Sequence, residues 1–445
     1  MKQLRILLAL FLCTMSLSTW SQDLARLSER SITGTARYIG MGGAMSAIGA
    51  DPSATLDNSA ALGLYRHTEV LVSFDQLIDR TRQIGSTTTC SRYTFMLPQA
   101  SLVISIPTFN PENAGIQYNN IQLSYQRVNS YYRMLYADGM NGASLGALVN
   151  STSINWGNFP FCTLPTNATN KMQLIESGYT NEYAFDWAMN IRNQWYVGAG
   201  LRIQSYLMSS EAVYREDFDM YASDGKAWSN TNTTKVFFSG VTCNFSAGLI
   251  YRPLKWLRLG FGIQTPAIGA ITTSTSGTFA AQTDSLRYSY APDGRSRDRS
   301  FHMPLHTSTS VAFQIGAYGM VALQYDYRHS AYMDDIHSLR AGIEVVPVLG
   351  LYINAGYVYE STFKPTARIV PMDASFNRQD TYFLNNRWSQ YASCAVGFRG
   401  QHVLVQAAYQ YRWQHIGMYA HENADPYNMR ADTHRIVLTI GWHRE

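Results

Sequence analysis

The strongest constraint on this chain is an apolar–polar alternation with a period of two, carried by segments too long for ordinary globular strands. From His402 to Trp413, one face collects Val403, Val405, Ala407, Tyr409, Tyr411 and Trp413, and the other His402, Gln406, Gln410 and Arg412. Val321, Leu323, Tyr325 and Tyr327 alternate in the same way with Gln324, Asp326 and Arg328. Tyr183, Phe185, Trp187, Met189 and Ile191 alternate with Asp186, Asn190 and Arg192. Such alternation puts one face of a strand in an apolar medium and the other in a polar one. A soluble sandwich strand would show it too, so length decides. Many segments run 10 to 14 residues, whereas globular strands average about 5–6 and a tilted membrane-crossing strand needs about 9–11.

The connections point the same way. Strands are expected at 67–76, 98–106, 118–129, 181–192, 195–208, 235–252, 255–265, 304–316, 319–329, 337–347, 350–361, 389–399, 402–416 and 432–442, which is fourteen. Tight turns fall at Asn193-Gln194, Pro253-Leu254, Ala317-Tyr318, Val348-Leu349 and Gly400-Gln401, and long loops at 130–180, 209–234, 266–303 and 362–388. Short turns on one rim and long loops on the other, with an even strand number, describe an outer-membrane barrel. The segment 271–282 reads as a candidate extra strand. Charged residues make up 15% of the chain, against about 25% in soluble domains, and the 30 tyrosines suit interfacial girdles. The expected fold is therefore all-β, a transmembrane antiparallel β-barrel of about 14 strands over residues 67–445.

Residues 1–21 read as a secretory signal: Lys2 and Arg5 precede the apolar run Ile6 to Met15, with Thr19 and Ser21 before a cut at Gln22. The net charge of +4 then falls to +2 (4 − 2), too small to argue for nucleic acid. Cys90 and Cys162 fall in expected loops, where an oxidising compartment would permit a bridge. Cys243 and Cys394 fall inside strands. Of the ten histidines, His302 and His306 are four apart at a strand entry, where they would share a face. Neither a haem-attachment motif nor a metal spacing occurs, and no G-x-S-x-G elbow marks a nucleophile. No catalytic residue, metal or cofactor is expected.

Residues 22–66 differ from the rest. They lack alternation, carry clusters of Gly and Ala, and still hold Tyr38, Ile39, Met41, Met45, Ile48, Leu56, Leu62 and Leu64. Disordered segments are poor in such residues, and small residues let a backbone lie close to a wall. The stretch is expected inside the lumen as an N-terminal hatch or plug.

At these residues the chain resembles the FadL/TodX type of outer-membrane transport proteins for hydrophobic compounds, in a branch whose relatives are sometimes labelled hemin receptors. Ala36, Arg37, Met41, Gly42, Gly43, Ala44 and Ala47 match the family's A-R-x-x-x-M-G-G-A-x-x-A opening, and Asp51, Ser53 and Ala54 its acidic D-x-S-A element. Asn58-Ser59-Ala60 matches its Asn-Pro-Ala motif except that Ser59 stands where the family usually has Pro, which loses a rigid φ and restores an N–H. The resemblance implies uptake of hydrophobic small molecules, such as long-chain fatty acids, by a monomeric barrel in the bacterial outer membrane. It implies capture in an outer apolar groove, a hatch across the straight route, and release sideways into the bilayer. Arg37, Gly42, Gly43, Asp51, Asn58, Ser59 and Ala60 are the candidate hatch residues, with Gln22 to Arg30 as a gate. Leu135, Leu148, Trp156, Phe159 and Phe161 are candidates for the groove. The expected partners are a hydrophobic small molecule and outer-membrane lipid and lipopolysaccharide. The runner-up is an anchor or shuttle in type IX-like protein secretion, because a fold does not fix a function.

Overall fold

The computed structural model describes residues 26–110, 115–140, 168–218, 228–282, 287–291, 294–302, 304–330, 333–361, 382–420 and 424–444. Eighteen strand pieces form one antiparallel sheet that closes on itself. They are β1 (Thr68–Gln83), β2 (Thr89–Pro107), β3 (Ile116–Ser130), β4 (Arg133–Met140), β5 (Ala168–Ile191), β6 (Trp195–Phe218), β7 (Trp228–Leu254), β8 (Leu257–Gln264) and β9 (Ile268–Gln282). They continue with β10 (Arg287–Tyr290), β11 (Arg295–His302), β12 (Leu305–Ile315), β13 (Gly319–Ser330), β14 (Met333–Val345), β15 (Leu351–Glu360), β16 (Phe383–Arg399), β17 (Val403–Tyr419) and β18 (Tyr427–Arg444). Both β3 and β4 pair with β5, both β8 and β9 with β7, and β12, β11 and β10 run in turn along β8 and β9. The pieces therefore make fourteen staves, and β1 pairs with β18 from Thr68↔Arg444 to Gln83↔Met429 to shut the barrel.

The alternation read from the sequence is the alternation of the wall. On β18, Ile436, Leu438, Ile440 and Trp442 are exposed on the outer face while Arg435, Val437 and Thr439 are buried inside. The segment 271–282 is the upper half of the stave that begins with β8, not an additional one.

The long loops expected from the sequence are shorter in the structure. Strands fill much of 130–180, 209–234 and 266–303, and β6 and β7 reach 24 and 27 residues. These extensions are rich in Thr, Asn and Ser, as in Trp228–Lys235. Beyond the bilayer a strand needs no apolar outer face, so hydrophobic alternation underestimates it. For the same reason Cys90 lies in β2 rather than in a loop, as a free thiol, while Cys162 lies outside the described residues. Cys243 and Cys394 stand in β7 and β16 on the outer face. His302 and His306 do not share a face: His302 ends β11 exposed, and His306 opens β12 buried in the lumen.

Candidate functional site

The segment from Leu27 to Tyr65 is buried inside the barrel through almost its whole length. A short helix, α1 (Ala36–Gly40), is capped by Thr35, whose side chain accepts from the Tyr38 N–H and donates to Asp51 Oδ2 at 2.7 Å. The Ala36 N–H reaches Thr439 of β18 at 2.8 Å. Arg37 forks onto Glu344 of β14, Nε at 2.6 Å and Nη2 at 2.8 Å, and its Nη1 donates to the Ala50 carbonyl at 3.1 Å. Asp51 caps the next turn by accepting from the Ser53 N–H. Burial pushes its carboxyl up, and Arg37, Thr35 and Ser53 offset this only in part.

Two glycine contacts set how closely this segment lies on the wall. Gly42 and Gly43 have φ of 63° and 73°, the left-handed region that favours glycine. Opposite them the wall also has glycines. A Cβ on Gly356 would stand 2.2 Å from the Gly42 nitrogen, and one on Gly342 would stand 2.5 Å from the Met41 carbonyl oxygen. Across the lumen, Gly198, Gly248 and Gly262 floor the turn 57–60, and a Cβ on Gly248 would fall 1.9 Å from Asn58 Oδ1. These wall glycines were not among the sequence-derived candidates. The signal was present, since each interrupts a strand pattern where a glycine marks close backbone approach.

Asn58 and Ser59 fix the second half. The Asn58 side chain accepts from the Ala60 N–H and donates to the Ser46 carbonyl, both at 3.0 Å. Ser59 opens a 3₁₀ turn (Ser59–Leu64), the first helical position at which proline is also at home. Serine adds a hydroxyl there, which donates to Asp186 Oδ1 at 2.8 Å and meets Ser246 Oγ at 2.7 Å. The departure from the family motif therefore exchanges a stiff φ for direct bonds to β5 and β7. Ser59→Ala is expected to cost about 1–3 kcal/mol, since it removes a buried hydroxyl that donates to the Asp186 carboxylate, which keeps its ion pair with Arg202. Faster amide exchange confined to residues 57–64 would report the loss, and unchanged exchange there would count against the role.

Between the two contacts lies a charge cluster. Arg340 of β14 donates to Asp57 Oδ2 at 2.9 Å and pairs with Asp326 at 2.8 Å, and Tyr38 donates to Asp57 at 2.6 Å. His306 stands 3.4 Å from Asp326 and 3.5 Å from Arg30. Burial alone would raise the Asp57 carboxyl, but the Arg340 and Arg30 guanidinium groups override it and hold it well below the usual carboxylate range. Asp57, His306 and Asp326 are close enough to share a cation. Two arginines already match the two carboxylates, so the cluster ties the inner segment to the wall.

The barrel wall has a break. β2 pairs with β3 only from Gln99↔Gln126 to Pro107↔Tyr118. Its first half, Thr89–Pro98, pairs with β1 but forms no ladder on the side facing β3 and β4. Pro98, which lacks an N–H, stands where that ladder stops. The third stave bends at Tyr131–Tyr132, opposite Ser177 and Gly178, and β4 leans into the lumen. There the inward side chains of β1 hold it: Thr81 bonds the Met134 carbonyl, and Gln83 bonds both the carbonyl and the N–H of Asp138. Arg92 spans the opening, donating to the Glu176 carbonyl at 2.8 Å and lying 4.8 Å from the centre of the Tyr132 ring.

The start of the segment is docked on this bend. Arg26 donates to Glu176 at 2.7 Å, and Arg133 bonds the same carboxylate. Arg26 also covers the Tyr131 ring, the Tyr131 hydroxyl donates to the Leu27 carbonyl, and the Ser31 N–H reaches the Val128 carbonyl at 3.0 Å. Of the expected gate Gln22 to Arg30, residues 26–30 are described, and they lie beside the break.

Above it the lumen turns apolar. Leu135 and Ala137 of β4 pack in one cluster with Met172 and Leu174 of β5, Ile416 and Met418 of β17, and Met429 of β18. Leu135 is thus fully buried in an apolar cluster at this end of the lumen. Leu148, Trp156, Phe159 and Phe161 lie outside the described residues. Below the hatch, a cavity of about 240 Å³ is lined by Arg37, Asp51, Glu69, Glu344 and Arg399. A wider concavity, about 750 Å³, lies on the outer wall among Leu249, Leu259, Phe261, Leu323 and Leu339.

No protein-family model and no curated protein matches the chain. Solved structures with the same fold do. The crystal structure of a Pseudomonas aeruginosa FadL homologue superposes with a TM-score of 0.60 at 13% identity, covering 93% of this chain and 99% of the other. The Pseudomonas putida toluene transporter TodX gives 0.54 at 12% identity over 94% and 99%. The Ralstonia pickettii toluene transporter TbuX gives 0.52 at 13% identity over 93% and 100%.

Proposed function

We propose that the chain is an outer-membrane channel for hydrophobic small molecules and carries no catalytic chemistry. Cargo of the long-chain fatty acid type, or another apolar compound, enters at the apolar end of the lumen, past the cluster around Leu135. It leaves sideways through the break between β2 and the third stave, while the hatch keeps the straight route closed. One observation carries this reading. An open sheet edge does not otherwise occur at membrane depth, because unpaired backbone groups in hydrocarbon cost several kcal/mol each. The free edge of β2 includes Tyr93 and Phe95, which lie level with Ile78 and Gln76 of the apolar band on β1. They are 65% and 70% exposed, flanked by β1 on one side and by no paired stave on the other. The fold shared with toluene transporters and a FadL homologue supports the same cargo class. The barrel supports a place in a bacterial outer membrane, and the reading is completed by export through a signal at residues 1–21 and by a monomeric state.

Arg92 is the removable part of the closure. Arg92→Ala is expected to raise uptake of fluorescently labelled hexadecanoic acid severalfold in cells that express it, while water-soluble dyes stay excluded. Equal uptake by the variant and by cells lacking the protein would contradict the sideways route. A strain lacking the chain that keeps its uptake but loses protein secretion would favour the secretion reading instead.

A further inference from the structure

The outer surface carries a second feature, away from the lumen. On β1 the lipid-facing positions run Val70, Val72, Phe74, Gln76 and Ile78, then change abruptly to Arg80 and Arg82. From Val70 to Ile78, eight residues at about 3.4 Å each, tilted by about 40°, span roughly 20 Å of height. That nearly fills an apolar band about 25 Å tall. Arg82 stands about 10 Å higher, where lipid headgroups lie.

The same level on the neighbouring staves is also basic. Arg82 faces Arg430 of β18 directly across the strand pair, and Arg430 faces His415 of β17. β16 bulges between Asn386 and Ser389, which sets both Arg387 and Trp388 against His415, with Trp388 5.1 Å from the His415 ring. A row of Arg82, Arg430, His415 and Arg387 therefore crosses four staves. Asp432 pairs with Arg430 at 3.0 Å and accepts from Tyr411. Among the described residues no carboxylate lies within ion-pair distance of Arg80, Arg82 or Arg387, and Asp432, already held by Arg430, is the one that stands opposite Arg80.

Like charges directly opposite each other on a sheet are destabilising, so Arg82 and Arg430 want an anion between them. A phosphate group meets that need, because guanidinium forks bind its oxygens two at a time. We propose that this row is a binding site for the phosphate groups of outer-leaflet glycolipid, whose acyl chains lie on the apolar face below. The site rests on the barrel's place in a bilayer and not on its cargo, so it is tested without any uptake measurement.

The probe is bis-phosphorylated lipid A, added to the full chain in a neutral maltoside detergent and followed by native mass spectrometry. Wild-type protein is expected to retain lipid A, and the triple variant Arg82→Gln, Arg430→Gln, Arg387→Gln to bind it about thirty- to a hundredfold more weakly. Lys255→Gln, in the turn on the opposite rim, should leave binding unchanged. Lipid A treated with phosphatase should bind wild type as weakly as intact lipid A binds the triple variant. Should the triple variant not fold, Arg82→Gln and Arg387→Gln alone are each expected to lose severalfold, since neither side chain has an ion-pair partner among the described residues. Equal binding by the variants, or by dephosphorylated lipid, would overturn the site.

Discussion

Deleting residues 23–62 is expected to turn a nearly closed barrel into a conducting pore. Fourteen staves enclose a lumen wider than their own side chains fill. At the level of the hatch the wall offers little of its own, since Gly198, Gly248, Gly262, Gly342 and Gly356 present no side chain where the hatch backbone lies. The deletion leaves that space to water, and single-channel conductance in a planar bilayer should rise by about tenfold or more. The shortened chain still has every ladder of the wall, so it remains a barrel. Large and equal conductance from intact and shortened protein would show that the segment does not seal it.

Arg340→Ala is expected to be the most damaging single substitution in the hatch contact. It removes the guanidinium that lies against both Asp57 and Asp326, and leaves two buried carboxylates with only Arg30 and His306 beside them. Breaking a buried pair in this way costs about 3–5 kcal/mol. Arg340→Lys should restore only part, because one ammonium cannot replace a planar fork between two carboxylates. Urea unfolding in detergent measures the loss, and amide exchange over residues 41–60 shows whether the hatch loosens first. The direction of the Asp57 shift adds a pH signature. A carboxyl held below its ordinary value of about 4 contributes stability that is fully present above that pH. The contribution disappears only as the pH falls further, through the depressed value. The wild-type cluster should therefore hold at pH 5, and the gap between wild type and Arg340→Ala should persist there.

Much of this architecture could be read from residues, because a period of two in long segments has few physical solutions. The cores of all fourteen staves fall where the alternation places them. The upper halves of β6, β7 and the β8–β9 stave did not show, since above the membrane Thr and Asn serve both faces and the contrast fades. The buried inner segment was legible as an apolar, glycine-rich stretch. Its partners were not, because Glu344, Arg340 and Asp186 look in the sequence like any other inward polar position. Ser59 looked like a weakness when compared with proline, and its hydroxyl bonds to Asp186 and Ser246 appear only once the wall is in place. The break came from two residues that punctuate strands, Pro98 and Gly178. Gly178 has φ of 118° opposite the bend of the third stave.

The sideways route is tested most directly by locking the hatch. Ser59 and Ser246 oppose each other at 2.7 Å between hydroxyl oxygens, so Ser59→Cys with Ser246→Cys places two thiols within bridging reach. The variant is oxidised in cells whose uptake of labelled hexadecanoic acid depends on this protein, and uptake is then compared before and after reduction. If cargo leaves through the wall, locked and reduced protein should carry it at the same rate. Uptake that stops on oxidation and returns on reduction would mean that cargo passes the hatch, and would contradict the account.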